Sequence, residues 1–189
     1  LPMSYLGFIA SSLNKPVLFV FGNHNLDQYY LFHKRSALLP AGDTFRMTHQ
    51  HHYGSTYIDR RLIKRKGVVF AGLGGSVRYN NGENQYTEFQ MMLRMLSLVP
   101  KLLWNRLVAG RFLDVLVTHS PPRGIHDKED NAHRGFSCLL WFMRTFRPRY
   151  LLHGHIHLYD LNERRVTQYE ETEIINVYDH YILELNAHG

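Results

Sequence analysis

The chain has 189 residues, of which 44% are hydrophobic and 20% are charged. This balance indicates a folded globular protein and excludes an intrinsically disordered one, and the length predicts a single domain over residues 1–189. The net charge of +6 favours anionic ligands in general, including phosphate esters and nucleic acid, without choosing between them.

The single cysteine, Cys138, excludes an internal disulfide framework. A lone thiol is typical of a reducing compartment, so we expect the protein in the cytoplasm. Cys138 lies within the apolar run 136–140, which predicts a buried, unreactive thiol and not a nucleophile. The longest apolar region, 89–108, is interrupted by charged residues and by Pro100, so we expect no membrane span.

Helical and strand-like patterns alternate along the chain. Hydrophobic periodicity predicts helices at 3–13, 87–107 and 136–145, the second of them broken near Pro100. Continuous apolar runs, which are typical of strands buried on both faces, lie at 17–21, 67–73, 112–117 and 149–153. Weaker patterns predict further strands at 55–59, 165–169, 173–177 and 181–185. The alternation of helices and buried strands indicates an α/β domain.

Polar side chains that can bind metals follow three of the predicted strands. Asn23 and His24 follow the first strand, His119 follows the third, and His155 and His157 follow the fourth. In α/β folds ligands collect beyond the carboxyl ends of strands, and neutral imidazole binds Zn, Mn or Fe. Residues two apart in extended backbone face the same way, so His155 and His157 should lie beside one point. Any one of these histidines could equally cap a strand, but their shared placement favours a metal site.

Three short motifs fall at these strand ends: Gly22-Asn23-His24-Asn25, Thr118-His119 and Gly154-His155-Ile156-His157. In this order they resemble the Gly-Asn-His-Asp/Glu, Gly/Thr-His and Gly-His-x-His motifs of the calcineurin-like metallophosphoesterases. The resemblance implies that family's α/β fold, a β-sandwich flanked by helices. It also implies a hydrolase, either a phosphatase or a phosphodiesterase, that cleaves phosphate esters with two divalent metal ions, Mn, Fe or Zn.

The resemblance also assigns a role to each matching residue. Asn23, His119 and His155 would bind the second metal ion, and His157 would bind the first. His24 would be catalytic, contacting the phosphate and protonating the leaving oxygen, which suits the ordinary pKa of histidine. The substrate would be a small phosphate ester or a nucleotide, because two adjacent cations neutralise a phosphate group.

Two family motifs have no counterpart in this chain. The family carries an Asp-x-His motif and a Gly-Asp motif before Gly-Asn-His, whereas here no Asp-x-His occurs and the only Gly-Asp is Gly42-Asp43, after it. The chain also starts at Leu1 and not at methionine. We therefore expect an amino-terminally truncated domain that lacks its first strand-helix-strand unit, and self-association through the uncovered edge. Asn25 stands where the family usually has an acidic residue.

Other functions compete with this one. A catalytically inactive scaffold or binding module on the same fold is the main alternative, because ligands for the first metal are missing. Nucleic-acid binding is not expected, since the basic run 60–66 lacks interleaved aromatic residues. The loop 124–133 either borders the site or is a solvated loop in which Asp130 or Asn131 caps the next helix. The turn 72–76 either offers N–H groups to a phosphate or is a tight strand exit.

Overall fold

The computed structural model describes residues 3–24, 29, 32, 51–52, 54–160 and 163–185. The helices in these ranges are α1 (Met3–Leu13), α2 (Glu88–Leu96), α3 (Val99–Ala109) and α4 (Ser137–Phe146). The strands are β1 (Val17–Phe19), β2 (His51–His52), β3 (Ser55–Tyr57), β4 (Leu62–Arg65), β5 (Val68–Leu73), β6 (Ser76–Val77), β7 (Gln85–Tyr86), β8 (Val115–Thr118), β9 (Tyr150–His153), β10 (Val166–Tyr169) and β11 (Thr172–Asn176). These elements confirm the predicted α/β class.

A six-stranded mixed sheet has the strand order β10-β11-β9-β8-β5-β4. Its four central strands run parallel, and an antiparallel strand closes each edge. The register places Leu73, Thr118, His153 and Asn176, the last residues of the central strands, side by side. The segments that follow these strands therefore leave from one edge of the sheet.

A smaller sheet, ordered β1-β3-β2, brings the amino-terminal part of the chain to the same edge. Strand β1 pairs in parallel with β3, and a bridge between Asp59 and Gly72 joins the segment after β3 to β5. Beyond β1, the carbonyl of Phe21 accepts a hydrogen bond of 2.9 Å from the N–H of Gly75. A side chain on Gly74 would meet the Phe21 carbonyl oxygen at 2.7 Å, so glycine is needed for this close approach. The segment after β1 is thus fixed against the end of β5.

Apolar side chains fill the space between the main sheet and helices α2, α3 and α4. The fully buried ones include Met95, Leu102, Leu116, Phe142 and Leu151, one from each of five elements. Burying a side chain of this size stabilises the fold by about 1.5–3 kcal/mol. A second, aromatic cluster under the smaller sheet contains Phe19, Phe21 and Tyr57. The two clusters hold the two sheets in place around the edge at which the central strands of the main sheet end.

Helices α2 and α3 begin with signals that are readable in the sequence. Thr87 and Gln90 form a capping box, in which each side chain accepts the other residue's backbone N–H, at 3.2 and 3.0 Å. Pro100 lies in the first turn of α3, where no N–H is required, so the predicted break falls at residues 97–98, just before the proline. Helix α3 ends at Gly110 with a left-handed φ of 73°.

Helix α4 takes its cap from another helix. The carboxylate of Glu88 accepts hydrogen bonds from the backbone N–H groups of Ser137 and Cys138. A negative charge is favourable there because the helix N-terminus carries a partial positive charge. The alternative in which Asp130 or Asn131 caps this helix is therefore wrong. Asp130 caps its own turn instead, accepting from the N–H groups two and three residues ahead.

Some of the remaining predictions are confirmed and others are wrong. Cys138 is free and buried, which confirms the predicted burial, and burial raises the pKa of its thiol. The predicted strand at 181–185 is wrong, because these residues form no strand. The sequence also carries a histidine cluster at His49, His51 and His52. His51 and His52 form β2, and His49 lies outside the described residues. Within the described ranges no helix has the length and apolar character needed to cross a membrane.

Candidate functional site

His119 follows β8 and packs its ring against the backbone of Gly22. A Cβ on Gly22 would lie 2.5 Å from that ring, so only glycine permits this arrangement. Burial, followed by the neighbouring histidines, lowers the pKa of His119 to about 3. The imidazole is therefore neutral near pH 7 and keeps one nitrogen lone pair.

His155 lies opposite His119. Its Nε2 atom is 2.7 Å from the carbonyl oxygen of Ala132, which can only accept, so Nε2 carries the hydrogen and Nδ1 carries the lone pair. That Nδ1 atom lies 3.1 Å from Nε2 of His119. Burial lowers the pKa of His155 as well, so this ring is also held neutral.

Asn23 completes the cluster. Its side chain is buried, and its Nδ2 donates to the hydroxyl of Tyr79 at 3.1 Å. This hydrogen bond directs the other amide atom, Oδ1, to within 3.0 Å of Nε2 of His119. The three side chains come from three separate strand ends, and we refer to Asn23, His119 and His155 as the donor triad.

The donor triad has atoms that can bind a metal ion, but only two of its three side chains are of the usual metal-binding types. Two of its electron-pair donors, Oδ1 of Asn23 and Nδ1 of His155, both face Nε2 of His119. A hydrogen on that nitrogen can point fully at only one of them, whereas a cation could be shared by all three. Among the described residues, however, no three His, Cys, Asp or Glu side chains form a group that could hold a metal ion. The third donor here is the amide of Asn23.

His24 and His157 lie outside the donor triad. His24 is exposed, and a positive charge on it would lower the pKa of both His119 and His155, so it lies near their rings. His157 is also exposed, with Nδ1 at 3.0 Å from the hydroxyl of Tyr159 and its ring stacked on Tyr178.

The expectation that His155 and His157 share one face of extended backbone is wrong. Strand β9 ends at His153, and the chain then turns tightly, with the N–H of Ile156 donating to the Gly154 carbonyl at 2.7 Å. His155 adopts a left-handed φ of 65° inside this turn. Its ring therefore faces His119, while the ring of His157 faces Tyr178. Asn25 lies outside the described residues.

The loop after β8 borders the donor triad, which settles one of the two alternatives left open by the sequence. It supplies the Ala132 carbonyl to His155, and it places the His133 ring with its centroid 5.5 Å from that of His155. Asp127 fastens the loop by accepting from the N–H groups of Gly124 and Gly135, both at 2.9 Å. The signal in the sequence is the position of the loop directly after the His119 strand.

The glycine turn after β5 is a strand exit and not a phosphate cradle. The N–H of Gly74 donates to the carboxylate of Asp59 at 2.8 Å, and that of Gly75 donates to the Phe21 carbonyl. Both groups are therefore already used within the fold. The same carboxylate pairs with Arg94 at 2.7 Å, so the turn is anchored to α2 as well.

A second pair of histidines lies behind the donor triad. The fully buried His153 has Nδ1 at 3.0 Å from the Gly154 carbonyl, so Nδ1 carries the hydrogen and Nε2 accepts from Nδ1 of His126 at 2.9 Å. The hydroxyl of Thr167 then donates to the remaining nitrogen of His126 at 2.8 Å. This chain of neutral groups supports the turn that carries His155. No local pattern in the sequence indicates it.

The amino-acid sequence is similar to those of known proteins. The family model for calcineurin-like phosphoesterases matches residues 2–159. The chain is 31% identical over 103 residues to UPF0046 protein T07D4.2 of Caenorhabditis elegans, a match covering 53% of this chain and 24% of that protein. The chain thus spans about a quarter of the length of that relative.

Solved structures share the fold at low sequence identity. One crystal structure superposes with a TM-score of 0.60 at 15% identity, covering 93% of this chain and 62% of the other. The crystal structure of TT1561 of Thermus thermophilus superposes with a TM-score of 0.56 at 13% identity, covering 94% of this chain and 69% of the other. At these identities the likeness shows the fold alone. Because the family model matches most of the length of this chain, the chain belongs to the calcineurin-like phosphoesterases.

Proposed function

We propose that the protein hydrolyses phosphate esters with the help of divalent metal ions held in part by the donor triad. The observation that carries the proposal is the convergence of Asn23 Oδ1 and His155 Nδ1 on Nε2 of His119, at 3.0 and 3.1 Å. Imidazole nitrogens with an amide oxygen are donors that suit Mn, Fe or Zn. Membership of the calcineurin-like phosphoesterases supports the reaction class that we propose, the cleavage of a phosphate monoester or diester.

The side chains of the donor triad are oriented so that their electron-pair donors could bind a cation. The Ala132 carbonyl and the Tyr79 hydroxyl are outer partners that fix which atoms of His155 and Asn23 face inward. Burial keeps both histidines neutral, and a metal requires neutral imidazole. We propose the donor triad as ligands of one metal ion, and His157 as a ligand of the other.

When bound, the metal ions would neutralise phosphate charge and lower the pKa of an attacking water. His24 would contact the phosphate and give a proton to the leaving oxygen, a role supported by its exposure directly beside Asn23. The loop 124–133, which follows β8, would limit the space available to the substrate beside His155 and so orient the ester. A small phosphate ester or a nucleotide is the substrate class that we propose. We also propose a reducing compartment such as the cytoplasm, supported by the free Cys138.

A direct test combines metal analysis with turnover. The 189-residue chain, together with any longer natural form of it, would be loaded with Mn, Fe or Zn and assayed on an aryl phosphate monoester and an aryl phosphodiester. We expect metal-dependent hydrolysis. His119→Ala should lose both bound metal and activity, and His24→Gln should lose activity, by about 100-fold or more, while keeping its metal. His180→Gln, in the exposed tail, is the control that should behave as the parent chain.

Absence of both metal and turnover in every form would overturn this proposal. It would favour the second candidate, a non-catalytic binding module on the same fold. The specific observation in favour of that candidate is the apolar surface of α2 and α3, where Phe89, Leu93, Trp104 and Leu107 are all exposed.

A further inference from the structure

We propose that Asn84 is a positioning residue that sets where Asn23 and His24 lie, an inference that rests on the proposed metal site. Asn84 is 62 positions from Gly22 in sequence and is buried. Its Nδ2 atom donates to two consecutive carbonyls, those of Phe21 at 3.0 Å and Gly22 at 2.7 Å. Both hydrogens of the amide are thus used on the backbone just before Asn23.

The orientation of the Asn84 amide is fixed from its other side. Its Oδ1 atom accepts from the hydroxyl of Tyr29 at 3.0 Å and from that of Tyr86 at 2.8 Å. The two carbonyls can only accept, so exchanging the nitrogen and the oxygen would place Oδ1 against two carbonyl oxygens and break both hydrogen bonds to the backbone. An acid or a hydrophobic residue cannot reproduce this pattern.

The backbone of Asn84 is also held in place. Asn84 has a left-handed φ of 52°, a conformation that asparagine adopts more readily than most residues. Its carbonyl accepts from the N–H of Ser76 at 3.1 Å, which ties the end of the loop 78–84 to β6. The amide therefore extends from a fixed point towards the turn after β1.

The consequence for the donor triad follows from peptide geometry. The Gly22 carbonyl lies in the same rigid peptide plane as the N–H of Asn23, so holding that oxygen fixes the direction in which Asn23 leaves the turn. Tyr79, from the same loop as Asn84, then fixes the Asn23 side chain. Loss of the Asn84 amide would free the plane and move Oδ1 of Asn23 away from His119.

Asn84→Asp is the most informative variant. It keeps the shape but replaces the two N–H donors with an oxygen that faces two carbonyl oxygens. Asn84→Gly is the second variant, which removes the side chain and still suits the left-handed backbone. Thr172→Val is the stability control, because it deletes a buried 2.7 Å hydrogen bond from the Thr172 hydroxyl to the Pro148 carbonyl at the opposite end of the sheet.

Two measurements on the full chain separate positioning from stability. The first is the affinity for Mn²⁺ alone, which we expect both Asn84 variants to weaken by about 10–100-fold, the range seen for partners of metal ligands. Thr172→Val should stay within about twofold of the parent, because it lies outside that set of partners. The second is the side-chain amide resonance pair of Asn23 by NMR in the absence of metal, which should shift in both Asn84 variants and not in Thr172→Val.

The outcomes are distinguishable. If the parent chain binds no Mn²⁺, the proposed function fails, and the Asn23 resonances alone decide the role of Asn84. Unchanged Asn23 resonances in both folded Asn84 variants would overturn the positioning role, as would Mn²⁺ affinity no weaker than in the control. If Asn84→Asp does not fold, Asn84→Gly provides both readouts.

Discussion

Nε2 of His119 lies 3.1 Å from Nδ1 of His155, and the two ring centroids are 4.8 Å apart. Since the hydrogen of His155 is on Nε2, facing the Ala132 carbonyl, Nδ1 of His155 can only accept. Oδ1 of Asn23, on the other side, can only accept as well. His119 must therefore donate from Nε2 in the metal-free protein, and one hydrogen lies at the centre of the donor triad.

This hydrogen leads to a prediction about tautomers. A metal ion bound to Nε2 of His119 must displace the hydrogen, so the ring should change to the Nδ1–H tautomer. His155 already presents a bare Nδ1, so its tautomer should not change. Long-range ¹H–¹⁵N NMR spectra with and without Zn²⁺ report both rings. An unchanged His119 tautomer in a Zn²⁺-saturated chain would contradict the assignment of this nitrogen as a ligand.

Tyr79→Phe should weaken metal binding with little effect on folding. The hydroxyl of Tyr79 accepts from Nδ2 of Asn23 and so keeps Oδ1 directed at His119. Without it, the Asn23 amide can rotate, and we expect the affinity for Mn²⁺ to fall by about tenfold, the lower end of what outer partners of ligands contribute. Titration calorimetry measures this directly. Tyr5→Phe, at an exposed position in α1, is the matched control, and equal affinities for the two variants would refute the role of Tyr79.

The positions of the strand ends could be predicted from the sequence, and the outer partners could not. The apolar runs before Asn23, His119 and His155 are local patterns, and the glycine or proline beside each marks where the strand stops. The family motifs then placed these three residues in one site. In the structure, Oδ1 of Asn23 and Nδ1 of His155 lie at 3.0 and 3.1 Å from Nε2 of His119.

The outer partners depend on contacts that no local pattern encodes. Tyr79 is 56 residues from Asn23, Asn84 is 62 from Gly22, and Ala132 is 23 from His155. The left-handed φ of His155 could not be predicted from the sequence either, for a related reason. Alternating residues share a face only while the backbone stays extended, whereas the Gly154 carbonyl is held by His153 and by the Ile156 N–H, which forces the turn.

The buried His153 predicts how stability depends on pH. Burial lowers the pKa of His153 from an ordinary value of about 6.5 to about 3. Below about pH 6.5 the unfolded chain takes up a proton at this residue and the folded chain does not, so acid favours unfolding. The free energy of unfolding should fall by about 1.4 kcal/mol per pH unit from this residue, until the pH approaches about 3. His119 contributes in the same direction.

His153→Gln isolates that contribution. The variant loses hydrogen bonds and should be less stable than the parent at about pH 7.5. Its disadvantage should then shrink as the pH falls, because the parent alone bears the proton-linked loss at this position. Urea unfolding at several values between about pH 7.5 and about pH 4.5 provides the two curves. Parallel curves across that interval would show that His153 titrates alike in the folded and unfolded chains.

The outer surface of α2 and α3 predicts self-association. On α3, Trp104 and Leu107 are 66% and 78% exposed, and Phe89 and Leu93 on α2 are more than half exposed. Apolar side chains grouped on two consecutive helices are typical of interaction surfaces, whereas isolated ones carry no such meaning. We expect the apparent mass in sedimentation velocity to rise with protein concentration. Trp104→Ser combined with Leu107→Gln should weaken the association by at least about tenfold, since it removes two large anchors.

The control for this surface is Ile182→Ser, which removes an 86% exposed side chain from the carboxyl-terminal segment. It deletes apolar area elsewhere on the molecule, so it should leave the association unchanged if α2 and α3 form the contact. Equal weakening by both changes would indicate non-specific hydrophobic association. A parent chain that sediments as a monomer at every concentration would show that this surface does not bind a second copy, and would leave it available to the binding-module alternative.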